Sequence, residues 1–133
     1  MKNRIILTII FLFVITSFSD CNAQENKIKR RDLQSVIIDQ YLHKVEMQEI
    51  ILDASQKAPV HYHPCPVIGI VVSGKILFQI DGEEARVLKE GDVFYEPKNC
   101  RVLHFDNLDS EASVKFVAAY LKESNEKSIE LIH

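Results

Sequence analysis

Hydrophobic and polar positions alternate with a period of two along most of this chain. Val45, Met47 and then Ile51 mark one run, Ile76, Phe78 and Ile80 a second with Val87 beyond it, and Val114, Phe116, Ala118 and Tyr120 a last. Successive side chains of a strand point to opposite faces, so this period predicts half-buried β-strands. Turn signals separate the runs: Ser73-Gly74 after the apolar stretch 67–72, Asp81-Gly82 after Ile80, and Glu90-Gly91-Asp92 after Leu88. Asp-Gly suits a tight hairpin because both residues tolerate a positive φ. Several short strands at such spacing predict an all-β sandwich or barrel.

The first residues follow another pattern. Lys2 and Arg4 precede the apolar run 5–15, and small and polar residues then lead to Cys21-Asn22-Ala23. A positive start, a short apolar stretch and a small residue before the cut predict a secretory signal peptide over 1–23. The run falls short of the roughly 20 apolar residues of a membrane span. The expected protein is therefore exported, periplasmic or secreted. A lipoprotein anchored at Cys21 is the rival reading, weakened by Phe18, Ser19 and Asp20 where lipoprotein signals want small residues. Residues 24–40 read as a charged N-terminal arm, 41–122 as the barrel domain, and 123–133 as a polar, fraying tail.

A net charge of −3, with the sixteen basic and nineteen acidic residues dispersed, leaves no basic block for nucleic acid or an anionic membrane. The acidic hairpin tip 81–84 lacks the ligand spacing of an EF-hand and reads as a solvated turn. No phosphate-binding glycine loop, nucleophile elbow or helix-borne metalloprotease motif occurs. The chemistry to consider lies in the histidines. His61-Tyr62-His63 on a strand would present two imidazoles to one face, about 6–7 Å apart along the backbone, half of a site for a divalent ion. His43 and His133 have no partner in any motif and read as solvent-facing.

The pair, Gly74, Gly91, Pro97 and His104 together resemble the motifs of the cupin superfamily, small barrels of the double-stranded β-helix (jelly-roll) type, over roughly residues 45–121. His61 and His63 match the His-x-His of the first motif, Gly74 its closing glycine, and Gly91 and Pro97 the second motif. Four positions depart from the pattern. The family glutamate falls on Val67 or Ile68, the opening glycine on Ser55, the glycine after Pro97 on Asn99, and the second-motif histidine on Val102, with His104 two residues later. A two-residue shift keeps a side chain on the same face of a regular strand. The resemblance thus implies a three-histidine site, His61, His63 and His104, for one divalent ion, with Fe, Mn, Ni and Zn all compatible.

It also implies a small-molecule ligand or substrate, with oxygenase or isomerase chemistry open. The alternative is a metal-free barrel that binds or senses a sugar-like molecule. Tyr62, Tyr95 and Glu96 are candidates for the pocket mouth or for wall packing. Cys65 and Cys100 flank the two motifs and would form a disulfide, pack as apolar thiols or, third, supply a soft ligand. Cupins often dimerise, so a homodimer is among the implied assemblies.

Overall fold

The computed structural model describes residues 28–132; the segment 1–23 with Cys21, and His133, lie outside them. Nine strands follow one another: β1 (Lys44–Leu52), β2 (His61–Tyr62), β3 (Val67–Ser73), β4 (Lys75–Ile80), β5 (Arg86–Lys89), β6 (Val93–Glu96), β7 (Arg101–Asn107), β8 (Val114–Lys122) and β9 (Glu130–Leu131). They form two antiparallel sheets, ordered β1-β8-β3-β6 and β5-β4-β7-β2-β9. No helix occurs among the described residues. This is the all-β, jelly-roll architecture that the cupin resemblance implied.

The inner faces of the sheets meet in one core. Phe94 and Phe116 from the first sheet stack against Phe105 of the second, with ring centroids 5.1 and 4.6 Å away. Ile76 and Phe78 of β4, and Val114, Phe116, Ala118 and Tyr120 of β8, are buried as their period predicts. Gly69 lets β3 approach its neighbours closely: a Cβ there would meet the Phe94 ring at 2.1 Å and the Val117 carbonyl oxygen at 2.6 Å. The β3–β4 turn places Gly74 at φ 87°, and Asn99, where the family carries glycine, adopts φ 61°. Asparagine tolerates that left-handed conformation better than most residues.

Two runs face the opposite way from the simplest reading of their period. On β1, Val45, Met47 and Ile51 are outward and about half or more exposed, whereas Ile50 and Leu52 point to the interior. Glu46 shares that inward parity and pairs with the buried Lys122 at 2.5 Å. On β5 the buried residue is Leu88 and not Val87. In each case the apolar residues straddle both faces, so periodicity alone does not select the buried one.

Strand β7 carries an irregularity that matters for the site. Gln79 of β4 lies opposite His104, but Ile80 lies opposite Val102, so Leu103 is an extra residue in the ladder. A bulge of one residue inverts the alternation beyond it. Val102 and Phe105 are therefore both buried in the core, while His104 emerges half-exposed.

Candidate metal centre

Strand β2 is only two residues long because prolines bracket it. Pro59, Pro64 and Pro66 lack the N–H that a longer ladder needs. The strand is held on one side by β7, with His61 opposite Val102, and on the other by β9, with His61 opposite Leu131. His61 and the adjoining His63 are both 4% exposed, and their rings meet edge to face at 5.0 Å. The third member of the group is Glu96 at the end of β6, 3% exposed. One ligand atom from each of His61, His63 and Glu96 lies within 4.8 Å of the others.

Backbone carbonyls fix both imidazoles. His61 Nδ1–H donates to the Pro59 carbonyl at 2.7 Å, and His63 Nδ1–H donates to the carbonyl of Ser128. With Nδ1 carrying the proton, each Nε2 is left to accept, which is the tautomer a metal ligand requires. His63 Nε2 faces Glu96 Oε2 at 2.8 Å. Two acceptors at that distance need a proton or a cation between them. Burial pushes the His63 imidazole down, but the hydrogen bond and charge of Glu96, with the Ser128 carbonyl, outweigh it and the pKa rises. Burial lowers that of His61, against the Pro59 carbonyl and the Glu96 charge, so this ring stays neutral at pH 7.

Tyr120, whose ring lies 5.6 Å from that of His63, completes the polar end of the site. Burial first and the Glu96 charge second push its phenol up to about 12, so it remains protonated at neutral pH. Beyond these groups opens a cavity of about 270 Å³. Its walls include Ile50, Leu52, Phe105, Phe116, Ala118 and Ile129, with Gln48 and Gln56 also among the lining residues.

The three-histidine set is not assembled. His104 Nδ1 binds Asp106 Oδ2 at 2.8 Å, and its half-exposed ring lies outside the buried group, because Leu103 breaks the parity that would have carried it inward. Glu96 takes the third place. It lies directly across the β3–β6 ladder from Val67, the residue at the family glutamate position, so the carboxylate enters from the neighbouring strand. Among the other pocket candidates, Tyr62 and Tyr95 alternate with His61 and Glu96 and stand half-buried outside the cavity lining. Cys65 is fully buried and Cys100 partly so. Both are free thiols in place of the disulfide held open above, and neither joins the donor group.

The tail expected to fray contributes directly. Strand β9 pairs with β2, Ile132 N–H donates to the Val60 carbonyl at 3.0 Å, Ser128 fixes His63, and Ile129 lines the cavity. Nothing in its polar composition signals this. Tyr120 was legible as an inward position of β8, although not as part of a site.

The comparisons with known proteins agree with this fold. The family profile of the cupin domain matches residues 48–120. An uncharacterized protein of Methanocaldococcus jannaschii is 26% identical over 90 residues, 66% of this chain and 77% of that protein. Its crystal structure, described as an RmlC-like cupin family protein with a double-stranded β-helix fold, superposes with a TM-score of 0.53 over 71% of this chain and 86% of that one, at 22% identity. Oxalate oxidase in complex with the substrate analogue glycolate gives a TM-score of 0.58 at 22% identity, over 66% of this chain and 46% of that one. DMSP lyase DddQ from Ruegeria pomeroyi gives 0.57 at 20% identity, over 65% and 42%. The chain thus spans less than half the length of either enzyme, and these likenesses establish the fold. With more than half of its length matched by the cupin-domain profile and its two sheets arranged as in these structures, the chain belongs to the cupin family.

Proposed function

We propose that this chain is an exported cupin that holds one divalent metal ion through His61, His63 and Glu96 and binds a small molecule in the adjoining cavity. The observation that carries this reading is the convergence of three buried donor atoms within 4.8 Å. Donors around a metal at about 2.0–2.2 Å stand about 3–3.5 Å apart, so small side-chain adjustments suffice. Two imidazoles and one carboxylate suit Fe(II), Mn, Ni and Zn, and three protein ligands leave positions open for a substrate. When bound, such an ion supplies a Lewis acid, which suits oxygenase or isomerase chemistry. The chain's own residues present both Nε2 atoms and keep the Tyr120 phenol protonated. Residues 1–23 direct export in this reading.

Elemental analysis of the protein, purified without chelator or a histidine tag, tests it. Near-stoichiometric metal that is lost in His61→Ala/His63→Ala and in Glu96→Gln is the expected result. Absence of metal after reconstitution with Fe(II), Mn, Ni and Zn overturns it. One contact favours a second reading: the 2.8 Å approach of His63 to Glu96 is satisfied by a single proton. In that case the pair is a buried ion pair and the barrel is a metal-free binding module.

A further inference from the structure

The chemistry of the cavity wall narrows what can occupy it, an argument that rests on reading the cavity as a small-molecule site but not on the metal. Its volume of about 270 Å³ corresponds to roughly ten non-hydrogen atoms at about 30 Å³ each. Most of the wall is aliphatic or aromatic, built by Ile50, Leu52, Phe105, Phe116, Ala118 and Ile129. A polyhydroxylated ligand such as a sugar would leave most of its hydroxyls facing carbon, each stripped of water without a partner. No Lys or Arg lines the cavity among the described residues. A dianion would therefore find no Lys or Arg, and a carboxylate turned away from the His61–His63–Glu96 group would lie stripped of water against carbon.

The polar groups that do line the chamber can supply hydrogen-bond donors. The Tyr120 phenol, on the inward face of β8 and lining the cavity, offers an O–H donor. Gln56 accepts the Asp53 N–H at 2.8 Å through its side-chain oxygen, which leaves its NH₂ to donate. Gln48, opposite Ala118 in the β1–β8 ladder, adds a second carboxamide. A few donors and a carbon wall match a ligand whose polar atoms are acceptors.

We infer that the cavity takes an uncharged, mainly apolar carbonyl compound of about ten non-hydrogen atoms, its oxygen toward the Tyr120 phenol and its carbon body against Phe116, Ile50 and Ile129. The substrate class is thus neither a sugar nor a short dicarboxylate. Ile129, on the C-terminal segment, lines the cavity and is 44% exposed.

The test is calorimetric titration of the full-length chain as purified, with acetophenone and heptan-2-one as apolar ketones and ribose and oxalate as polar counterparts. Metal content is measured on the same samples. Saturable one-to-one binding of at least one ketone, at least tenfold tighter than ribose or oxalate, is expected. Ala118→Phe, which fills the chamber, should weaken that binding at least tenfold. Ile129→Asp, at a position exposed enough not to threaten folding, should weaken it severalfold. No binding of either ketone, equal or tighter binding of oxalate or ribose, or ketone binding unchanged in both variants overturns the inference. Ketone binding by protein that takes up no metal on reconstitution refutes the metal reading and leaves this one standing; stoichiometric metal without ketone binding does the reverse.

Discussion

Val102 lies directly opposite His61 in the β2–β7 ladder, 1% exposed and on the same inward face. It occupies the position where the second cupin motif carries histidine, so the site lacks an imidazole at the place aligned to supply one. Val102→His should therefore add a third imidazole to His61, His63 and Glu96. Competition against a chelator should show metal affinity raised at least tenfold. Without metal, burying the new polar ring should cost about 1–3 kcal/mol, read from denaturant midpoints. Unchanged metal affinity would mean that residue 102 does not reach the site.

The Ser128 carbonyl is the partner that orients His63. Ending the chain after Lys127 removes that acceptor, the cavity wall at Ile129 and the β9 pairing of β2. Loss of such orienting partners typically weakens metal binding 10–100-fold. The shortened chain should show a loss in that range in the same chelator assay, with faster amide exchange at His61 and Tyr62. Wild-type affinity in the shortened chain would assign the segment no part in the site.

Glu46 is pulled down from 4.5 to about 2 by hydrogen bonds from Lys122 and Lys44. Its folded pKa lies below the unfolded one, so the stability it contributes is fully present above about 4.5 and is lost as the pH falls toward about 2. Glu46→Gln should flatten the acid side of a thermal-melting profile. At neutral pH it should lower the melting temperature, because Lys122, buried to within 7% at its side chain, loses its carboxylate. A pH profile parallel to that of the wild type would refute this assignment.

Gly69 marks where β3 approaches β6 and β8 too closely for any side chain. In Gly69→Ala the new methyl would overlap the Phe94 ring and the Val117 carbonyl. Overpacking of this kind costs about 1–3 kcal/mol. Chemical denaturation should show a loss of at least that size, since one of the crowding atoms is backbone and cannot turn aside. A loss under ~0.5 kcal/mol, typical of surface substitutions, would contradict the packing described.

The strands, the turns and two of the three members of the donor group were legible in the sequence because each rests on local chemistry. Alternation marks β4 and β8, positive-φ residues mark the turns at Gly74, Gly82, Gly91 and Asn99, and His-x-His places two imidazoles together. What only the tertiary structure decided is which side of each strand is inside and which distant residues meet there. One extra residue, Leu103, turned His104 outward. Cross-strand register brought Glu96 opposite Val67 as the carboxylate, and a polar tail proved to carry the carbonyl that orients His63. Periodicity is fixed by bonds along the chain, whereas bulges, register and the choice of buried face are settled by hydrogen bonds and packing between segments far apart in sequence. No stretch of residues read alone contains those partners.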